Sequence, residues 1–281
     1  MKTDPNCFPC FLEQALKAAQ AATNNEEQIN QILDDIKNHI ETISLECTPV
    51  ENGMYIYEKV KEITGNDDPY KELKFKNTEK GLELLPVLKK KVEQSDDPIV
   101  SAIKISIAGN AIDYGINHGF DIDHEIEHVF DSKFAINDYE IFKEAIQKTD
   151  KILFIGDNAG ESVFDKLLIE ELNKKTIFIV REKPIINDVT YEDAVHAGID
   201  TVAEIVSSGS TAPGTIIDNC TKEFQDLFYN AKLIISKGQG NFETLEEESK
   251  PIVFMLKAKC KVVADYLKVN LGDNILLAKN I

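Results

Sequence analysis

Residues 151–161 read KILFIGDNAGE, and this stretch decides the fold class of the chain. The apolar run KILFI has the length of a short buried β-strand, and the glycine and polar residues after it indicate a turn. The following segment, ESVFDKLLIEELNK at 161–174, carries apolar residues at helical spacing. We therefore predict a strand that leads through a tight turn into a helix.

The same alternation of strand and helix continues to the end of the chain. Strands are predicted in TIFIVRE (176–182), TVAEIVSS (201–208), KLIISKGQGN (232–241), PIVFMLKAKC (251–260) and NILLAK (274–279). Helices are predicted in YEDAVHAG (191–198), PGTIIDNCTKEFQDLFYNA (213–231) and KVVADYLK (261–268). This order is typical of an α/β fold, a Rossmann-like, mostly parallel sheet with helices on both faces.

The first 96 residues have a different character and read as helices. Apolar residues recur every three or four positions from Ile29 to Ile43, which is typical of an amphipathic helix. Ser95-Asp96-Asp97-Pro98 has the composition of a helix start, so the next helix is predicted from Ile99 to about 116. We predict a helical N-terminal subdomain over residues 1–96 and a Rossmann-like α/β catalytic domain over 97–281.

Composition narrows the choice of partners and of compartment. The chain has 49 acidic and 31 basic residues and a formal net charge of -18, which disfavours binding to nucleic acid and to anionic membranes. No segment reaches the roughly 18 apolar residues of a membrane helix. The five cysteines form an odd set without an export-type apolar leader, which predicts reduced thiols in a cytoplasmic protein.

Polar residues follow the predicted strands, and ligands of open α/β sheets bind at these carboxyl ends. Asp157 and Asn158 come after the first strand and Asp188 shortly after the second. Their oxygens suit Mg²⁺, Mn²⁺ and related hard cations, although residues of these types also serve as ordinary helix N-caps. Lys237 ends a strand before two glycines, a compact arrangement for holding phosphate, and a surface lysine in a glycine-rich loop is the alternative.

Four further residues are candidates for contact with a substrate. Ser208 and Gly209 lie in a tight turn after the third strand, where a plain loop is the alternative. Asn110 and Asp113 share one face of an otherwise apolar helix because they are three residues apart. Two polar groups in such a helix either cap a neighbouring strand or face the active site.

Two other patterns suggest metal binding of a different kind. Cys7-x-x-Cys10 supplies half of a zinc site, for which Cys47 or a histidine is a possible partner; a plain thiol pair is the alternative. His124-Glu125-Ile126-Glu127-His128 matches the HExxH pattern of metalloproteases. It lies in an acidic stretch without an evident third ligand, so a solvated helix or linker is the simpler interpretation.

Six segments in a fixed order resemble one protein family. They are AGNAIDYG (108–115), FIGDNAGE (154–161), INDVTYEDA (186–194), SSGSTAPGT (207–215), SKGQGNFE (236–243) and MLKAKC (255–260). Together with the initial Cys-x-x-Cys, they resemble the metal-dependent damage-control phosphatases, once called domain of unknown function 89, in their compact prokaryotic branch. The resemblance implies a helical subdomain on a Rossmann-like domain and hydrolysis of small phosphorylated metabolites, such as sugar phosphates or phosphorylated cofactor intermediates.

The resemblance also implies roles for particular residues. Asp157, Asn158 and Asp188 would hold one divalent cation, Mn²⁺, Co²⁺, Ni²⁺ or Mg²⁺, and Lys237 would hold the substrate phosphate as a fourth catalytic residue. Asn110 and Asp113 match a segment that lines the same cleft. A water activated by the cation is the expected nucleophile, and direct attack by Asp157 is the alternative.

Three rival functions stay open at this point. A non-catalytic protein that binds a metal and a phosphometabolite would use the same pocket without turnover. A redox or zinc protein would centre on the Cys-x-x-Cys pair. A nucleotide-dependent transferase is disfavoured, because neither a GxGxxG fingerprint nor a Walker A loop is present. The sequence does not indicate an oligomeric state.

Overall fold

A computed structural model describes residues 1–117 and 122–281, with side chains for 1–109 and 127–281. Within these residues one sheet contains the strands β1 (Phe134–Asn137), β2 (Lys151–Ile155), β3 (Lys175–Val180), β4 (Glu204–Ser207), β5 (Ile234–Lys237), β6 (Ile252–Lys257) and β7 (Asn274–Lys279). Their spatial order is β1-β7-β6-β5-β2-β3-β4. Strands β2 to β6 are mutually parallel, β7 is antiparallel to β6, and β1 is parallel to β7.

Helices of the described residues precede the sheet and connect its strands. They are α1 (Phe8–Ala22), α2 (Glu26–Ile40), α3 (Pro49–Thr64), α4 (Lys71–Glu93), α5 (Pro98–Asn117), α6 (Ile122–Asp131), α7 (Tyr139–Gln147), α8 (Ser162–Leu172), α9 (Tyr191–His196), α10 (Lys222–Asn230), α11 (Gln239–Leu245) and α12 (Lys261–Leu267). The α/β prediction is thereby confirmed, including the mostly parallel sheet.

The two faces of the sheet bury separate hydrophobic clusters, and alternation along each strand divides its side chains between them. In β2, Ile152 and Phe154 belong to one cluster, whereas Leu153 and Ile155 belong to the other. The first cluster contains apolar residues of α5 and α8, and the second contains those of α10, α11 and α12. Burial on both faces explains why the central strands are almost uniformly apolar, since neither face meets water.

The N-terminal helices have a core of their own. Phe11 and Ala15 of α1 pack with Ile32 and Ile36 of α2 and with Ile56 of α3. Helix α3 begins with a capping box, in which Thr48 and Glu51 satisfy each other's backbone N–H groups. This arrangement suits the predicted helical subdomain, while the division of the chain at residue 96 stays a prediction.

Some local predictions were wrong in their bounds. The helix expected over 213–231 is α10 alone, which begins only at Lys222 because Thr221 caps it and a 3-10 turn occupies Ile217–Asn219. Helix α8 spans Ser162–Leu172, within the segment 161–174 predicted as helical. The edge strand β1 and the helix α11 were not predicted from the sequence.

No helix in the described ranges is both long enough and apolar enough to cross a membrane.

Candidate active site

The sheet has a switch point at β2, which pairs with β3 on one side and with β5 on the other. Chain connections leave in opposite directions at such a point, and a crevice opens beyond the carboxyl ends of the strands. Asp157 follows β2, and Gly238 follows β5 directly. A cavity of about 350 Å³ lies here and is lined by Asp157, Asn158 and Asp188, together with residues of α1, α3 and the start of α11.

Backbone hydrogen bonds bring the loop after β3 to the loop after β2. Asn158 and Asp188 form an isolated antiparallel bridge. The Val189 N–H donates to Asp157 O at 2.9 Å, and the Ala159 N–H donates to Asn187 O at 2.9 Å. The three residues predicted as metal ligands therefore line one cavity, although Asp188 is far from the other two in sequence.

A buried arginine holds Asp188 in place. Arg181 Nε donates to Asp188 Oδ2 at 2.9 Å, and its remaining nitrogens donate to Thr215 Oγ1 at 3.1 Å and to Asn241 Oδ1 at 3.0 Å. Burial raises the pKa of Asp188 to about 7, Arg181 opposes this shift, and the charge of Asp157 adds to it. Arg181 was not among the predicted residues, because a charged residue directly after an apolar strand usually only marks the end of that strand.

The amide of Asn158 is oriented by two carboxylates. Its Nδ2 donates to Asp157 Oδ2 at 2.8 Å and to Glu161 Oε2 at 3.1 Å. Because the NH₂ group is used in this way, the carbonyl oxygen is the part of the amide that can accept a cation. Burial also raises the pKa of Asp157, against the nearby positive charge of Lys259.

Lys237 is not among the residues that line this cavity. It is fully buried, and its Nζ donates to Asp165 Oδ1 at 2.6 Å, to Ser106 O at 3.0 Å and to Glu161. Burial alone would lower the pKa of Lys237, but the carboxylates of Asp165 and Glu161 raise it to about 12. Contact with a substrate phosphate, as predicted, would require Lys237 to leave these acceptors.

The other predicted substrate contacts are not brought to the cavity by the described side chains. Ser208 is fully buried, and its Oγ accepts a hydrogen bond from the Ser210 N–H at 3.3 Å. Gly209 has a φ of 75°, and a Cβ there would lie 2.3 Å from Thr221 Cγ2, so it serves a tight turn. The side chains of Asn110 and Asp113 lie outside the described residues.

Two charged residues that were not predicted line the cavity. Lys259, in the segment after β6, is exposed and brings a cation to the same cavity as Asp157 and Asp188. Glu243 of α11 is buried there and accepts from Gln239 Nε2 at 2.8 Å; burial raises its pKa to about 7. The sequence did contain a signal for both. Glu243 lies in SKGQGNFE and Lys259 in MLKAKC, the segments in which β5 and β6 end.

Thiols also reach the cavity, which Cys7, Cys10 and Cys260 line in part. Burial raises the pKa of Cys7 to about 11, which favours the thiol over the thiolate that binds zinc. Cys260 caps α12 by accepting from the Val263 N–H at 3.4 Å. Among the side chains of residues 1–109 and 127–281, no group of three or more His, Cys, Asp and Glu is placed to hold a metal ion.

The second histidine of the HExxH-like stretch, His128, is exposed, whereas the side chain of His124 lies outside the described residues. The metal ligands predicted from the resemblance are a different set, two carboxylates and the amide of Asn158.

Gly238 is required for the position of Asp157. Its φ is 78°, and a Cβ built on it would lie 2.1 Å from Asp157 Oδ2. We expect Gly238→Ala to displace the carboxylate and, at the metal site predicted from the sequence, to weaken Mn²⁺ binding by at least about tenfold, in the range found when residues that support metal ligands are changed. Titration calorimetry of the metal-stripped protein measures this affinity.

Gly65→Ala is the matched control for this substitution. Gly65 has a similar φ of 67°, but nothing lies within 4 Å of the added Cβ. Both variants carry the cost of an alanine at positive φ, about 1 kcal/mol or more. Equal Mn²⁺ affinity in the two variants would show that contact between Gly238 and Asp157 does not shape the site.

Comparison with known proteins identifies relatives along nearly the whole chain. The family described as the damage-control phosphatase ARMT1-like domain matches residues 3–275. A damage-control phosphatase of Archaeoglobus fulgidus is 37% identical over 285 residues, which cover 98% of this chain and 98% of that protein. A damage-control phosphatase of Pyrococcus horikoshii is 34% identical over 281 residues, which cover 97% and 96%.

A solved structure shares the fold. The crystal structure of a DUF89 family protein from Pyrococcus horikoshii superposes with a TM-score of 0.90 at 32% identity and covers 99% of each chain. An uncharacterized protein of Methanocaldococcus jannaschii is 36% identical over 293 residues, covering 99% of this chain and 96% of that protein. Motifs at 108–115, 154–161 and 186–194 carried the resemblance in the sequence, and all lie within the matched range.

Proposed function

This chain belongs to the family of the damage-control phosphatase ARMT1-like domain, and on that premise we propose that it is a phosphatase that depends on a divalent metal and hydrolyses small phosphorylated metabolites. The observation that supports this most directly is the meeting of Asp157, Asn158 and Asp188 in one cavity at the switch point of the sheet. Two relatives that cover almost the whole chain are named damage-control phosphatases.

The donor set fits a hard divalent cation. Two carboxylates and one amide oxygen are the ligands that Mg²⁺, Mn²⁺ and similar ions take, with open positions for substrate oxygens. Burial raises the pKa values of Asp157 and Asp188; the charge of Asp157 adds to the shift of Asp188, and the charge of Glu161 adds to the shift of Asp157. A bound cation would offset the cost of burying these charges. When bound, it supplies positive charge to the phosphoryl group during displacement of the alcohol.

Each residue around the cavity has its own role in the proposed site. Asp157, Asn158 and Asp188 hold the cation, and Arg181 fixes the orientation of Asp188. Lys259 supplies a positive charge for the substrate phosphate, which a chain with a net charge of -18 otherwise repels at long range. Lys237 holds Glu161 in place, and Glu161 in turn orients the amide of Asn158.

We expect Lys259→Met to lower kcat/KM for p-nitrophenyl phosphate by about ten- to a hundredfold, because it removes a charge that stabilises the phosphoryl oxygens. The fold should be unaffected, since Lys259 is exposed. Lys257→Met, at the last residue of β6 and outside the cavity lining, is the matched control. Equal losses in both variants would assign the effect to the general field of the surface.

Phosphate release by the metal-stripped protein tests the proposed function. p-Nitrophenyl phosphate and a panel of sugar phosphates would be assayed with Mn²⁺, Co²⁺, Ni²⁺ or Mg²⁺ added in turn. We expect release only after a cation is added. If folded protein binds the cation and releases phosphate from none of the esters, the alternative of a non-catalytic metal and phosphometabolite-binding protein replaces the phosphatase.

We place this activity in the cytoplasm. The five cysteines, all within the described side chains, are free thiols, as expected in a reducing compartment.

A further inference from the structure

A second cavity of about 260 Å³ adjoins the candidate active site. The two cavities share three lining residues, Tyr57, Tyr70 and Ile186. The second cavity is formed by α3, by the segment before α4 and by the segment 183–186 after β3. It therefore lies between the N-terminal helices and the loop that carries Asp188.

The wall of this second cavity is mainly apolar and aromatic. Met54, Val60, Pro69, Pro184 and Ile185 line it beside the two tyrosines. The Tyr57 hydroxyl donates to Gln14 Oε1 at 3.0 Å, which fixes the ring as part of the wall. Lys61 and Asp67, also in the lining, pair with each other at 2.7 Å. Asp68, also in the lining, pairs with Lys74 at 3.0 Å, and the other polar residues of the lining are Glu58, Asn66, Lys183 and Thr211. The apolar and aromatic side chains form the larger part of the wall.

Ile186 stands at the junction in a strained conformation. Its φ is 47°, a region that β-branched residues rarely occupy because the side chain meets its own backbone. Strain of this kind is retained where the surrounding structure requires the position, often at a binding site. Ile186 lies two residues before Asp188 and lines both cavities. Its backbone conformation therefore affects the position of the proposed metal ligand Asp188 and the boundary between the cavities.

We propose that the second cavity is the leaving-group subsite and that it selects phosphomonoesters whose alcohol carries a planar aromatic or heteroaromatic ring. The inference rests on the proposed phosphatase function and specifies its substrate class. Apolar cavities of about 150 Å³ are known to bind benzene, so a volume of about 260 Å³ accommodates one ring. Tyr57 and Tyr70 supply the faces on which a ring packs. A sugar phosphate would place ring hydroxyls against the apolar part of this lining, where they lose hydrogen bonds to water.

Binding of two phosphonates to the Mn²⁺-loaded protein tests the subsite without turnover. Benzylphosphonate and methylphosphonate share the anionic group, and only the first carries a ring. We expect benzylphosphonate to bind at least tenfold more tightly in titration calorimetry. In Tyr70→Ala, this preference should fall to about twofold or less, and Ile185→Ala, in the segment after β3 that also lines the cavity, should reduce it as well. Tyr55→Ala, a tyrosine of α3 that stacks on His39 away from both cavities, should retain the full preference.

The outcomes separate this inference from the function on which it rests. Equal affinities for the two phosphonates in a protein that releases phosphate from p-nitrophenyl phosphate would overturn the subsite and leave the phosphatase intact. A ring preference that persists in both Tyr70→Ala and Ile185→Ala would place the ring elsewhere and also overturn the subsite. Failure of the metal-loaded protein to bind either phosphonate or to release phosphate from any ester would overturn the function and, with it, the subsite.

Discussion

Asp157→Asn is expected to lower metal-dependent phosphate release by more than about a hundredfold. Changing a residue that only supports a metal ligand costs about ten- to a hundredfold, and loss of a ligand itself should cost more. The substitution preserves the size of the side chain but removes a charge that, in the proposed function, would hold the cation. Asp157 lines the cavity, and its Oδ2 is held at 2.8 Å by Asn158 Nδ2. The measurement is kcat/KM with Mn²⁺, accompanied by the rise in Tm that Mn²⁺ produces through mass action.

Asp150→Asn is the matched control for Asp157→Asn. Asp150 directly precedes β2, whereas Asp157 follows that strand, so the control removes the same charge at the opposite end of it. The exposed Asp150 should be replaceable without effect on activity or on the shift in Tm. If Asp157→Asn keeps both the activity and the Mn²⁺-induced shift in Tm, the metal site is not at this cavity.

The same variant distinguishes the two candidate nucleophiles. In direct attack, an oxygen of the Asp157 carboxylate bonds to phosphorus, the ester oxygen leaves with its electron pair, and water later hydrolyses the acyl phosphate. A phosphorylated protein trapped during turnover, and absent in Asp157→Asn, would identify this route. With a water nucleophile, no label is retained by the protein at any time.

Much of the sheet was predictable, because its central strands are apolar runs bounded by turn residues. Strand β2, for example, is buried on both faces, which gives the sequence a continuous signal. The edge strand β1 has half its residues exposed and no such run. The direction of β7 was not predictable either, because a helix, α12, connects it to β6, and a connection through a helix usually joins parallel strands.

The gathering of polar residues at the carboxyl ends of the strands was predictable for the same reason, but the direction of each side chain was not. Lys237 ends β5 as expected, yet its ammonium lies among acidic groups of the helix that follows β2. A signal existed: Glu161 and Asp165 are four residues apart among apolar neighbours, and buried carboxylates at that spacing require a cation. The role of Arg181 could be recognised only from the fold, because its partners Thr215 and Asn241 are distant in sequence.

Lys237→Met is expected to lower the free energy of unfolding by about 3–5 kcal/mol at pH 8, the range for breaking a buried ion pair by removing one partner. Methionine fills most of the space but leaves Asp165, which is itself fully buried, and Glu161 without this cation. Burial raises the pKa of Asp165 to about 7 even with Lys237 opposing the shift. Urea unfolding of the variant and of the parent protein measures the difference.

The pH dependence of this loss shows whether uncompensated charge is its cause. Asp165 has a folded-state pKa above its ordinary value, so it takes up a proton in the folded protein as the pH falls through about 7. Once protonated, it no longer needs the ammonium, and the loss in Lys237→Met should be smaller at pH 5 than at pH 8. Adding Asp165→Asn to Lys237→Met should recover part of the stability at pH 8.

Lys232→Met, at an exposed position just before β5, is the control and should change the free energy of unfolding by no more than about 0.5 kcal/mol at either pH. A loss in Lys237→Met that is equal at both pH values would instead assign the effect to packing.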